Sequence, residues 1–363
     1  MNDDHVYSRR SFHRALLGVL AAPALARAQT RTQPSPHRAI YMLDAPDRQE
    51  RLLAGAKREG AIVLYTSLNT QDSGPLTAAF ERKFGIRTQI WRAASERVVQ
   101  RAVSEARAGR TVFDVIETNA PEMEALYREG LLDEFRSPFF PELAPAAFPP
   151  HRHYVATRFN FFTIGYNTRL VKPEEVPNAY SDLLHPRFAG RIGLEAGDVD
   201  WFGAMVKSMG EQKGLAFFRG LAATKPMMRT GHTLVGQLVA SGEIPLAPNI
   251  YNHNAERLLV QGAPIKWKAL PPTFGRANSV GVVRRAPHPY GAMLFTDFIL
   301  SRDGQTVLKA RNRVPSNRAV DSPLNDFPFT TIDPIITLDE DAKWSKLWSD
   351  LFLGGQRVVR EAD

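Results

Sequence analysis

At 363 residues the chain exceeds the usual size of one domain, and with 44% hydrophobic residues it can bury two cores. It has no cysteine, which excludes a disulfide frame, a thiolate metal site, a cysteine nucleophile and a lipid-anchoring cysteine. The net charge of +8 comes from arginines scattered among Asp and Glu, without a basic stripe or an aromatic-studded groove. The composition therefore points away from nucleic acid, and the charge reads as solubility with a weak bias toward acidic ligands.

The first segment is an address. Ser8-Arg9-Arg10-Ser11-Phe12 precede an apolar run from Ala15 to Leu25, and Ala26-Arg27-Ala28 puts small residues where a signal peptidase reads. Residues 1–28 resemble a twin-arginine export signal, and the apolar run is about half the roughly 20 residues of a membrane-spanning helix. A periplasmic protein without a lipid anchor is expected. Residues 29–46 carry Pro and Arg without an apolar period and read as a loose leader.

From residue 47 the chain repeats a β–α plan. A helix over Arg48 to Arg58, closed by Gly60, leads to the strand Ala61 to Tyr65. Thr66, Ser67 and Asn69 follow at its end, and Ser73 is the expected N-cap of the next helix. There Leu76, Ala79, Phe80 and Phe84 share one face before Gly85. A second unit has the strand Arg87 to Trp91 and the helix opened by Ser95, with Val99, Ala102, Val103 and Ala106 as its stripe. A third has the strand Phe113 to Glu117, then Thr118-Asn119 and Pro121 in a helix's first turn. Polar residues after each strand suit a doubly wound sheet, whose ligand sits at the strand ends. Singly, Ser67, Asn69, Ser95 and Asn119 are equally well read as turn and cap residues; their shared position favours a ligand.

The apolar stretch Arg158 to Leu170 reads as the strand that carries the chain into a second lobe. There the strand Arg191 to Leu194 leads to Asp198, Asp200 and Trp201 at a helix start, where Trp201 is either a wall of the ligand site or a core residue. Arg229-Thr230-Gly231-His232 open another helix, a cation beside free amides that would seat an anion. The strand Ile244 to Ala247 ends toward Tyr251. Asn278 to Val283 reads as the return crossing, and the helices after it, including the one around Trp344 to Phe352, are expected to pack on the first lobe.

The order of IVLYTS, FDVIETNAPEMEALYREGLL, FFTIGYNTRLV, YSDLLHPRFAGRIGL, SGEIPL and APHPYGAMLFTDFILSRDGQTVL resembles the periplasmic solute-binding proteins of ABC transporters, in the branch similar to ferric-iron-binding proteins. The resemblance implies an α/β, two-lobed type II periplasmic-binding-protein fold, each lobe a doubly wound mixed sheet, with the ligand cleft between them. The lobes are 47–157 with 278–363, and 158–277. It further implies a monomer that closes on a small-molecule solute and hands it to an inner-membrane permease, with no cofactor.

Ferric-binding relatives use a histidine after the first strand, a glutamate after the third and two adjacent tyrosines. The matching positions here are Asn69, Asn119 and Tyr251-Asn252, so only one tyrosine remains. Ferric iron wants anionic oxygen, whereas neutral amides suit hydroxyls or oxyanions. The expected ligand is a small polar or anionic organic solute held by Thr66, Ser67, Asn69, Ser95, Asn119, Asp200, Trp201, Arg229, Gly231, His232 and Tyr251, without a metal. Iron with an exogenous anion is the alternative. An enzyme on this architecture is disfavoured, because no nucleophile elbow, P-loop, His-Glu-x-x-His or dinucleotide fingerprint occurs.

Overall fold

The computed structural model describes residues 35–356, so the export signal expected over 1–28 lies outside the described residues. The helix Arg48–Glu59 ends at Gly60, whose φ of 80° closes it in the left-handed region. The strand Ala61–Thr66 then runs parallel to both Arg87–Arg92 and Val115–Asn119. Asn69, rather than Ser73, caps the helix Thr70–Phe84: its side chain accepts from the Asp72 amide at 3.0 Å. Ser73 lies inside that helix and is buried. In the helix Ser95–Arg107 the fully buried residues are Val98 and Ala102, while Val99, Val103 and Ala106 are partly covered, a rotation of the expected stripe by one residue.

One strand organises everything after this. Val155–Asn167 starts three residues earlier than expected, because its apolar run has no internal signal for where pairing begins. Its first half pairs antiparallel with the return strand Phe274–Val283 and with Val314–Pro315. Its second half pairs with Leu246–Tyr251 and Ile265–Lys268. Ten strands thereby form one curled mixed sheet instead of two separate ones, beside a small parallel pair, Gly193–Glu195 and Met227–Arg229. Successive side chains of a strand face opposite sides. Accordingly Phe161 belongs to the core with Phe80, Ile116 and Phe295, and Phe162 to the core with Trp201, Phe202 and Phe218. Each such buried aromatic or aliphatic side chain stabilises by about 1.5–3 kcal/mol.

The C-terminal helix Pro334–Phe352 packs on the first lobe as expected, where Asp339 pairs with Arg128, and on the second core as well. Trp344 and Trp348 bury in the second core, against Phe202, and the Trp348 indole donates to the Ala196 carbonyl at 2.7 Å. Gly203 makes room for this: a Cβ there would stand 3.0 Å from the Trp344 ring. Large aromatic faces settle where matching apolar surface lies, and that surface belongs to the helix Val199–Met209.

Candidate functional site

The strand ends and helix starts of the two cores face each other across a narrow cleft. Ser95, Glu96, Asn119 and Glu122 line one side, Glu195, Asp198, Asp200, Gly231 and His232 the other, and Arg276 of the return strand closes the floor. The space between them is about 40 Å³, room for very few atoms.

The carboxylates are held firmly. Glu195 ends its strand and accepts from the Gly231 amide at 3.0 Å and the Gly197 amide at 2.7 Å, tying two loops together. Burial and the neighbouring Asp198 push its pKa up to about 8, against those amides and His232, which pull it down. Asp198 accepts from Asn249 at 2.7 Å, from Arg276 at 3.1 Å, and lies 3.1 Å from His232 Nε2. Arg276 also donates through Nε to Asp200 at 2.7 Å and through Nη1 to the Tyr251 hydroxyl. Burial works against its charge, but Asp200, Tyr251 and Asp198 hold the guanidinium protonated. Gly231 has φ of 103°, the turn that starts the helix His232–Ser241 and brings the imidazole flat against Tyr251. Glu195, Asp198 and His232 offer three ligand atoms within 4.8 Å of one another.

Of the residues singled out from sequence, Ser95, Asn119, Asp200, Gly231 and His232 line this cleft, and Tyr251 supports it from beneath. Asn119 is itself fixed by Asn278, which donates to it at 2.7 Å. Thr66 and Ser67 are buried in the sheet interior: Thr66 donates to Glu117 at 2.6 Å, and Ser67 accepts from Thr118 at 3.1 Å. Asn69 is engaged in its capping role and also donates to Asp72 at 3.1 Å. Trp201 is fully buried among Phe162, Tyr180 and Phe218, a core tryptophan and not a wall of the cleft. Arg229 points outward, donating to the Met228 carbonyl at 3.0 Å and standing 3.5 Å from the exposed Glu243. The expected anion seat at the Arg229 side chain is therefore not part of the cleft.

Glu195, Asp198 and Arg276 were missed as site residues. The acidic sequence Glu195-Ala-Gly-Asp198-Val-Asp200 at a strand end carried a signal. Arg276, in mid-strand, carried none.

A cleft between two cores joined through shared strands is where a small-molecule ligand is expected to sit. The sequence profile described as bacterial extracellular solute-binding protein matches residues 111–339, and the chain belongs to that family. Iron uptake protein A1 of Synechocystis sp. is 26% identical over 308 residues, covering 77% of this chain and 83% of its own. Two solved structures resemble the fold. Iron-bound HitA from Pseudomonas aeruginosa has a TM-score of 0.69 at 19% identity, over 80% of this chain and 99% of that one. The periplasmic binding protein AfuA from Actinobacillus pleuropneumoniae, with fructose-6-phosphate bound, has 0.70 at 21%, over 81% and 99%. The fold is thus the type II periplasmic-binding-protein fold, and the chain is a solute-binding protein rather than an enzyme.

Proposed function

We propose that the chain is the periplasmic component of an ABC importer and that it captures a small polar organic solute bearing a cationic group, for delivery to a membrane permease. Residues 47–157 with 278–333 act as one lobe and 158–277 as the other, parting to admit the solute, with the helix Pro334–Phe352 anchored in the second core by Trp344 and Trp348. The observation that carries the reading is charge: Glu96, Glu122, Asp198 and Asp200, joined by Glu195 once it ionises, face one cleft against Arg276 and His232. An ammonium or guanidinium group finds acceptors there, and Ser95 and Asn119 supply hydrogen bonds for the polar remainder. Among the described residues no helix is long and apolar enough to cross a membrane.

A second reading has its own support. The two carboxylates and one imidazole within 4.8 Å are a donor set for a metal ion as cargo, and relatives are named for iron uptake and ferric binding. Against iron stands the ligand chemistry. Tyr251 has no adjacent tyrosine, and the cationic Arg276 shares the carboxylates.

Native mass spectrometry with a visible spectrum on protein purified without refolding separates the two. An organic adduct that is lost in Asp198→Asn supports the first reading. Stoichiometric metal that a chelator removes, and that Glu195→Gln cannot hold, would replace it with the second.

A further inference from the structure

A second polar cluster lies beyond Tyr251. Asp72, fully buried at the start of its helix, accepts from Arg313 Nε at 2.7 Å and Arg311 Nε at 3.2 Å, and Arg257 Nη2 approaches it at 3.9 Å. Arg158, 2% exposed on the crossing strand, pairs with Glu117. Four guanidinium groups thus share two carboxylates. Arg158 and Arg313 are buried and balance the two carboxylates, while the partly exposed Arg257 and Arg311 carry the excess, which an anion would compensate.

The hydrogen bonds show the same imbalance. Arg313 Nη1, an obligatory donor, meets His253 Nε2, so that nitrogen accepts and the proton sits on Nδ1. Burial, with Arg313 and Arg257 nearby, keeps His253 neutral. His253 Nδ1, Arg158 Nε, Arg257 Nη2 and Asn254 Nδ2 are then four buried donors with no acceptor among the described residues. Buried donors in native structures are nearly always satisfied.

We propose that this cluster is an oxyanion seat, taking a phosphate or carboxylate group between Arg158, Arg257, Arg313 and the His253-Asn254 start of the helix Asn252–Val260. Arg311 and Arg257, with side chains 39% and 22% exposed, give the anion its way in. The seat is joined to the acidic cleft by the stacked rings of His232, Tyr251 and His253. Its anion is either free or the acidic end of the transported solute. The seat does not depend on the cation reading of the cleft.

Titration calorimetry at fixed ionic strength, on the exported chain, uses inorganic phosphate and phosphoethanolamine as probes. Phosphate binds the parent protein; Arg257→Gln, at a partly exposed position and folded by circular dichroism, weakens it about tenfold or more, the loss of one charged hydrogen bond, and Arg257→Lys recovers part. If phosphoethanolamine binds more tightly and Asp198→Asn weakens it alone, the oxyanion is the solute's own. If the two probes bind alike and Asp198→Asn changes neither, the anion is free. Either result supports the seat even where the cation reading fails. Binding of neither probe, or equal phosphate affinity in Arg257→Gln, overturns it.

Discussion

His232 lies flat on Tyr251, with ring centroids 3.6 Å apart and planes 20° from parallel. The stack is the hinge between charge and fold: its upper ring contacts Asp198, and the hydroxyl of its lower ring accepts from Arg276. Tyr251→Phe keeps the ring and removes the acceptor from a buried cation. The expected outcome in denaturant melts is a loss of about 1–2 kcal/mol. His232→Ala removes a cleft-lining ring, and solute affinity is expected to fall about tenfold, since stacking alone contributes about 0.5–1.5 kcal/mol. Parent-like affinity in His232→Ala would remove this residue from the site.

Glu195 gives the protein a pH dependence whose sign is fixed. Its pKa rises from 4.5 to about 8 on folding, so between those values the folded state binds the proton more tightly than the unfolded chain. The stability contributed by the protonated form is full below about 4.5 and is lost as pH climbs through about 8. Melting curves of the parent should therefore decline relative to Glu195→Gln across that window. A cationic solute that needs the carboxylate should bind better as pH approaches 8, with release of a proton, and Glu195→Gln should flatten that dependence. Parallel pH profiles for the two proteins would contradict the assignment.

Arg229 and Trp201 test the boundary of the site from opposite sides. Arg229→Ala alters an exposed side chain and is expected to change stability by less than about 0.5 kcal/mol and solute affinity not at all. Trp201→Ala empties a fully enclosed volume among Phe162, Tyr180 and Phe218, and is expected to cost about 3–5 kcal/mol in a denaturant melt. A mild effect at Trp201, or a binding defect at Arg229, would return these residues to the cleft.

The fold was largely legible because its signals are local. Gly60 and Gly85 mark helix ends by their left-handed backbone, and the order of apolar strands with polar residues after them identified the layered plan. Boundaries within continuous apolar runs were not legible, as with Val155–Asn167, where no breaker residue marks the start of pairing. The site was legible only in part. Asn119 and His232 sit at element ends that any reader of β–α units would flag. Glu195 looked like the last residue of a strand and Arg276 like a charge on a sheet; only the folded arrangement of the small parallel pair beside the curled sheet brings residues 81 positions apart in sequence into one cleft. Arg229 misled because its long side chain turns outward to the Met228 carbonyl and Glu243, which its place at a strand end does not reveal.

Glu117 and Arg158 join the first β–α units to the crossing strand inside the sheet, with 1% and 2% of their side chains exposed. Glu117 also accepts from Thr66 at 2.6 Å and Thr157 at 3.3 Å, so four residues from three strands meet at one carboxylate. A buried pair of this kind adds little net stability over an apolar replacement, but removing one partner strands the other charge. Glu117→Gln should therefore cost about 3–5 kcal/mol in urea melts, and Arg158→Met paired with Glu117→Gln should recover much of that loss. If the double variant is no better than the single one, the charge of Arg158 is compensated by another group, such as an oxyanion in the adjoining basic cluster.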